Sequence, residues 1–175
     1  MRLDTVRPAE GNPDMKYILT ILAFAMFLLP RSAVAQDAET HRDWSVLRGE
    51  GGCVATTSVG LKAGASGLAT MALYDRNDEQ IPATVTVRVP LGADLASQIA
   101  YTHAGRKDAV GLNWQYCDDR SCLATGTVSS DELGRLKRGN RIYLAFRPLP
   151  GARSLVLPVS LMGFTRSWTT VQDCD

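Results

Sequence analysis

Alternating apolar and polar residues dominate the chain after residue 42 and predict β-strands. The clearest run is Ala83–Val89, in which valine stands at every second position between threonine and arginine. Successive side chains of a strand point to opposite faces, so this run is expected to bury one face. Pro90 ends the run because proline cannot donate a hydrogen bond to a neighbouring strand. Similar runs between turn residues predict strands at 43–47, 53–59, 67–74, 99–103, 110–117, 122–128, 141–146 and 154–161.

One segment has the pattern of a helix. Ser129 and Glu132 form a capping box, in which the serine caps the helix start and the glutamate follows three residues later. Leucines at 133 and 136 give the segment an apolar face, and Gly139 ends it. Many short strands with one short helix predict an all-β sandwich.

The N-terminal part of the chain is typical of an export signal. Residues Tyr17–Leu29 are thirteen uncharged, mostly apolar residues, fewer than the about 20 that a membrane-spanning helix needs. The small residues Ala33 and Ala35 then form a signal-peptidase motif, which predicts cleavage between Ala35 and Gln36. An uncleaved membrane anchor is the alternative.

These features divide the chain into four parts. Residues 1–14 are polar and precede Met15-Lys16, which suits the start of a signal peptide, so we interpret 1–14 as an extension of the gene model. Residues 15–35 are then the signal peptide, and 36–42 a flexible lead-in. Residues 43–175 form a single β-sandwich domain.

Charge excludes one class of partner. The whole chain has 19 basic and 18 acidic residues. Residues 1–35 hold four basic and three acidic residues, so 15 of each remain and the expected mature chain is neutral. Nucleic-acid binding needs a basic surface, so we expect no nucleic-acid partner. The ordinary proportions of 45% hydrophobic and 21% charged residues also exclude a disordered chain.

The sequence contains no recognisable catalytic or cofactor motif. It lacks the nucleophile-elbow, zinc-protease, phosphate-loop and dinucleotide-binding patterns. His41 lies in the lead-in and His103 at the end of a strand, where a surface residue is the expected role because neither has a partner nearby in sequence. Two distant histidines also make a poor zinc site. We therefore expect no catalytic residue, no metal and no cofactor.

Two groups of charged residues are candidates for an interaction surface. The first lies at the tip of a predicted hairpin and consists of Asp118, Asp119 and Arg120. The second surrounds the end of the predicted helix and consists of Arg135, Lys137, Arg138 and Arg141. The aspartates are also ordinary turn formers. The basic group has two interpretations, a site for an anionic ligand and a solvated helix end, and exposure favours the second.

All four cysteines lie in the expected mature chain, at positions 53, 117, 122 and 174. An even number of cysteines in an exported chain is typical of disulfides. Four cysteines allow three pairings, which composition alone leaves open.

Four stretches between residues 43 and 165 form a recognisable series. They are DWSV at 43–46, VTVRVPLG at 85–92, YCDDRSCLA at 116–124 and LPVSLMGFT at 157–165. In this order and spacing they resemble the invasion-associated locus B family of exported proteins from Gram-negative bacteria. The resemblance implies an immunoglobulin-like β-sandwich in the periplasm or beyond it. It also implies a role named after host-cell invasion and no enzymatic activity.

The resemblance also bears on the disulfides. The stretch around Cys117 and Cys122 is similar to the family's paired-cysteine hairpin, and the short spacing favours the same pair. The family has a further cysteine soon after the first tryptophan, where this chain has Leu47 and Arg48 instead. Cys53 therefore lacks a close partner, and Cys174 becomes the one available.

Together these observations predict an exported, non-enzymatic protein, periplasmic or secreted, that binds an unknown protein partner or supports the envelope. The partner belongs either to the envelope or to a host cell, and no membrane anchor remains after processing. Two alternatives are a small periplasmic enzyme with an unrecognised site and an inhibitor or chaperone-like module that binds by adding a strand.

Overall fold

We describe a computed structural model of the protein, which covers residues 38–49, 51–62 and 67–174. The predicted extension 1–14, the signal peptide 15–35 and its cleavage site at Ala35 and Gln36 lie outside the described residues. Among the described residues, the elements in chain order are β1 (Ala38–His41), β2 (Trp44–Gly49), β3 (Gly52–Val59), β4 (Ala69–Asp75), β5 (Ala83–Pro90), β6 (Ile99–His103), β7 (Ala109–Cys117), β8 (Ser121–Val128), α1 (Ser130–Arg138), β9 (Arg141–Phe146), β10 (Leu155–Ser160) and α2 (Phe164–Gln172).

The strands form a continuous antiparallel series in the order β1-β2-β3-β4-β5-β8-β7-β6-β9-β10. The long strand β7 connects the two halves of this series. Its first part, 109–112, pairs with β6, whereas its second part, 113–117, pairs with β8. A register shift between Trp114 and Tyr116 accompanies the change of partner. A strand that passes from one layer to another turns a single sheet into a sandwich.

The predicted alternation of β5 is confirmed. Val85, Val87 and Val89 are fully buried, whereas Arg88 between them is exposed. Their burial places β5 at the centre of a core to which nearly every strand contributes. The all-β sandwich predicted from the strand pattern is the observed fold class.

Two local predictions were wrong. The lead-in at 36–42 was expected to be flexible, but residues 38–41 form β1, which pairs with β2 along its length. The fold was expected to have one helix, but the described residues include a second, α2. Phe164, Trp168 and Val171 are buried. They share one face of α2 because their spacing matches the helical repeat.

The start of α2 connects the two ends of the described chain. Gly163 precedes the helix with φ 95°, a conformation that favours glycine, and a Cβ there would collide with the carbonyl oxygen of His41. The Trp44 ring stacks edge-on against Phe164 with centroids 4.9 Å apart. Its indole nitrogen donates a hydrogen bond of 2.8 Å to the carbonyl oxygen of Ser160. These contacts hold α2 against β1 and β2.

Candidate functional site

The hairpin between β7 and β8 ends in a short loop closed by a disulfide. Cys117 and Cys122 are directly paired across the two strands, with their Cα atoms 4.0 Å apart and their sulfur atoms bonded. Inside this ring the backbone N–H of Asp118 donates to the carbonyl oxygen of Ser121 at 2.9 Å. We call residues 117–122 the hairpin tip. Its backbone is fixed both by a covalent bond and by a turn hydrogen bond.

The carboxylate of Asp118 organises the hairpin tip. Its Oδ1 accepts hydrogen bonds from the backbone N–H groups of Arg120 and Ser121, each at 2.8 Å. Its Oδ2 lies 2.9 Å from Nη1 of Arg88, which projects from β5. The two backbone hydrogen bonds, and then Arg88, lower the pKa of Asp118 to about 2. The sequence interpretation of Asp118 as a turn former is therefore correct but incomplete, since it also binds a neighbouring strand.

The outward side chains of the hairpin tip point into solvent. Asp119 and Arg120 have side chains that are 85% and 88% exposed, and they approach each other only loosely, at 3.7 Å. Tyr116 is half exposed just before the tip. The tip thus presents an aromatic ring and two charged groups on a rigid backbone.

The tip shares its end of the sandwich with exposed leucines. β5 ends beside the tip, because Pro90 pairs with Ser121. The loop that follows β5 carries exposed Leu91 and Leu95, and Leu149 from the β9–β10 turn is exposed beside Gly92. Clustered exposed apolar side chains are typical of surfaces that contact other proteins.

A cluster of polar side chains lies beside the basic residues at the end of α1. Glu132 of α1 is 4% exposed, and its two oxygens contact His103 Nε2 at 2.6 Å and Arg135 Nε at 2.7 Å. The capping box is half formed, since the Ser129 hydroxyl accepts from the Glu132 N–H while the carboxylate turns to these two partners. The expectation that His103 is a surface residue without partners is corrected, because its side chain is only 11% exposed and bonds to this carboxylate.

Tyr101 lies beside this cluster and is fully buried. Burial, reinforced by the nearby Glu132 carboxylate, raises the pKa of Tyr101 far above its usual value, so the phenol stays protonated. No atom among the described residues forms a well-aligned hydrogen bond with its hydroxyl oxygen. Sequence inspection missed Tyr101 and Glu132 as neighbours of His103. The only signal is period-two spacing, which places Tyr101 and His103 on one face of β6.

An open pocket of about 430 Å³ adjoins the cluster, and we call it the basic pocket. It brings together two of the four basic residues around the helix end, Arg138 and Arg141, whereas Arg135 is engaged by Glu132 and Lys137 does not line it. The lining residues are His103, Ala104, Arg138, Gly139, Asn140, Arg141 and Tyr143.

The structure separates the two groups of predicted residues. The hairpin tip begins at Cys117, the last residue of β7, and His103 precedes the short turn that leads to Ala109, the first residue of β7. Eight residue steps of about 3.3 Å along β7 put roughly 26 Å between these ends. The two candidate groups therefore lie at opposite ends of the sandwich.

The second disulfide joins distant parts of the chain. Cys53 and Cys174 are bonded, with their Cα atoms 5.9 Å apart and a sequence separation of 121. Nη1 of Arg48 lies 3.1 Å from Sγ of Cys174. The disulfide ties the segment that follows α2 to β3.

In the described part of the chain, no three potential metal ligands come together. Within the same residues, no helix combines the length and apolar character needed to span a membrane.

Comparisons with known proteins identify the family. The chain is similar in fold to the crystal structure of invasion associated protein B from Bartonella henselae, with a TM-score of 0.66 and 19% identity. The similarity covers 78% of this chain and 96% of that one. No curated protein sequence matches the chain significantly. The sequence model described as "Invasion associated locus B (IalB) protein" matches residues 32–172, so this chain belongs to the IalB family.

Proposed function

We propose that this IalB-family chain is an exported, non-enzymatic protein, periplasmic or secreted, that acts by binding a protein partner in the envelope or on a host cell. The hairpin tip is the observation that carries the proposal. It is a rigid, exposed loop beside a patch of exposed leucines, at one end of a stable sandwich.

Rigidity of the tip favours binding. A flexible loop loses conformational freedom when it docks, and this loss weakens affinity. At the hairpin tip the disulfide, the Asp118 hydrogen bonds and the Arg88 contact already restrict the backbone. Tyrosine and arginine are also the residue types that most often dominate protein interfaces, and Tyr116 and Arg120 are both exposed there.

Export is supported by the N-terminal sequence and by the cysteines. The uncharged run Tyr17–Leu29 precedes a signal-peptidase motif. Disulfides are typical of proteins in an oxidising compartment such as the periplasm, and the described residues form two of them. N-terminal sequencing of the protein recovered from the periplasm is expected to start at Gln36. Recovery of a chain that retains Tyr17–Leu29 would contradict this processing.

A non-enzymatic role is supported by the burial of the carboxylate. Glu132 is 4% exposed and is not among the residues that line the basic pocket, so its oxygens lie out of reach of a substrate proton. Its contact with His103 has a structural role, because it joins α1 to β6.

A capture experiment with charge-reversal variants tests the proposal. The purified exported protein is coupled to beads and exposed to envelope extract, and the captured proteins are quantified. The Arg120→Glu and Lys107→Glu variants are coupled and treated in the same way. Lys107 is exposed in the turn before β7, at the opposite end of that strand from the tip. We expect Arg120→Glu to reduce capture of a specific partner at least tenfold and Lys107→Glu to leave it within twofold. Equal capture by wild type and Arg120→Glu would contradict a role for the tip.

A further inference from the structure

The bond between Cys53 and Cys174 has one shielded end and one accessible end. Cys53 is 8% exposed and lies in β3, where it is paired directly with Arg48 of β2. Cys174 follows α2, belongs to no helix or strand of the described residues and is only partly buried. A reagent in solution therefore meets Sγ of Cys174 more readily than Sγ of Cys53.

An arginine lies against the accessible end of the bond. Nη1 of Arg48 is 3.1 Å from Sγ of Cys174, so the guanidinium donates to this sulfur. The pairing of Arg48 with Cys53 across β2 and β3 fixes the base of the arginine side chain beside the bond. A neutral sulfur is only a weak acceptor and gains little from this contact. The contact becomes important when the sulfur carries negative charge.

Thiol–disulfide exchange places negative charge on the attacked sulfur. A thiolate attacks one sulfur of a disulfide, a mixed disulfide forms, and the other sulfur leaves as a thiolate. During the attack the charge is shared by the entering, the attacked and the leaving sulfur. A positive group that already lies beside the attacked sulfur stabilises this charge without having to move. Arg48 occupies that position for an attack on Cys174.

We propose that the Cys53–Cys174 bond exchanges with external thiols at Sγ of Cys174, and that Arg48 accelerates this exchange. When the bond forms, the Cys174 thiolate attacks one sulfur of an external disulfide, whose other sulfur leaves as a thiolate. The Cys53 thiolate then attacks Cys174 Sγ and expels the remaining external sulfur. Two electrons pass to the external disulfide, and its two thiolates take up the two protons that the cysteines release.

Reduction of the bond follows the same route in reverse. An external thiolate attacks Cys174 Sγ, the bond to Cys53 breaks, and Cys53 leaves as a thiolate. Small thiols such as glutathione and the thiols of oxidoreductase proteins share this chemistry. The inference goes beyond the proposed partner binding and does not depend on it, since the hairpin tip takes no part in the exchange.

Trapping the mixed disulfide tests the site on the oxidised wild-type protein. The protein is incubated with reduced glutathione, quenched with acid, alkylated and mapped by mass spectrometry. We expect glutathione on the peptide that contains Cys174 and not on the peptide that contains Cys53. The same incubation with thioredoxin that keeps only its attacking cysteine tests a protein thiol. An adduct with glutathione alone identifies small thiols as the reactants, and adducts with both show that protein thiols also reach Cys174.

Substitutions of Arg48 test its role in the exchange. We expect Arg48→Ala to form the Cys174 adduct about fivefold more slowly than wild type, which is the effect of losing one charge contact at the surface. Arg48→Lys keeps the charge and is expected to stay within about twofold of wild type. The matched control is Arg153→Ala, which removes an exposed arginine from the loop between β9 and β10 and should not change the rate. These two strands pair with neither β2 nor β3.

Exchange at the Cys117–Cys122 bond in the same samples is an internal control, because Arg48 lies outside the hairpin tip. A slower reaction confined to Cys174 cannot come from lost stability, since a less stable protein exposes its sulfurs more often and reacts faster. The proposal is overturned if glutathione is found mainly on Cys53, if neither cysteine forms an adduct, or if Arg48→Ala reacts at the wild-type rate.

Discussion

Removing the Cys53–Cys174 bond is expected to be the most destabilising covalent change in this protein. The change is the double substitution Cys53→Ala/Cys174→Ala, which leaves no unpaired thiol. Alanine also avoids placing a hydroxyl at position 53, where the side chain is buried. The matched control is Cys117→Ala/Cys122→Ala, which removes a disulfide of the same chemistry from a short loop.

The expected magnitude follows from the length of chain that each bond closes. A cross-link restricts the unfolded chain, and its stabilisation grows with the logarithm of loop length. A separation of 121 residues corresponds to about 5 kcal/mol, whereas a separation of five corresponds to about 2 kcal/mol. The larger value equals the whole stability of some domains, so the first variant is expected to be only marginally folded.

Urea unfolding monitored by tryptophan fluorescence measures both values, since Trp44 and Trp168 are fully buried and respond to loss of the core. We expect the Cys53–Cys174 deletion to lower the unfolding free energy by about 3 kcal/mol more than the hairpin deletion. Thermal unfolding is expected to show the same order. Equal losses in the two variants would refute the argument from loop length, and no loss would refute the bond itself.

Three further predictions concern single residues. Asp118 has a pKa of about 2 in the folded protein, below its unfolded value of about 3.9. Its contribution to the free energy of unfolding is therefore complete above about pH 3.9 and is lost as the pH falls through about 2. The amide resonance of Ser121 should report this loss, and a transition centred near pH 4 would contradict the lowered pKa. Gly163→Ala should lower the unfolding free energy by about 2 kcal/mol or more, because it adds a Cβ at positive φ against the His41 carbonyl; unchanged urea unfolding would contradict this. Glu132→Gln should lower the free energy of unfolding by about 2 kcal/mol, because it weakens the contacts of Glu132 with His103 and Arg135. A stability equal to wild type in the same assay would contradict a stabilising role for these contacts.

The strands were predictable because burial of one face leaves a period of two in the sequence, as in β5. The helix α2 was missed because its threonines and valine are residues that also favour strands, so local composition pointed away from a helix. Its packing on β1, β2 and β3 stabilises the helix despite this composition. β1 was missed for a related reason, since its exposed, polar residues carry no apolar alternation and its pairing with β2 holds it in place.

The two charged groups were recognised as candidates, but their arrangement was not. His103 and Glu132 are 29 residues apart in sequence, and contact only because β8 and α1 return the chain to the end of β6. Spacing alone cannot reveal such a pair. The same return brings Arg141 to the side of His103, which turns an apparently solvated helix end into the wall of a pocket.

If the chain is exported as proposed, the bond between Cys53 and Cys174 constrains the order in which the two disulfides form. A chain that crosses a membrane N-terminus first delivers Cys53 to the oxidising side 121 residues ahead of its partner. Cys117 and Cys122 cross the membrane after Cys53 and before Cys174. Their short separation favours formation of the Cys117–Cys122 bond before either residue reacts with Cys53. The sandwich is completed only when Cys174 reaches Cys53 and α2 docks on β1. A pairing of Cys53 with Cys117 or Cys122 before that point would have to be reversed by thiol–disulfide exchange.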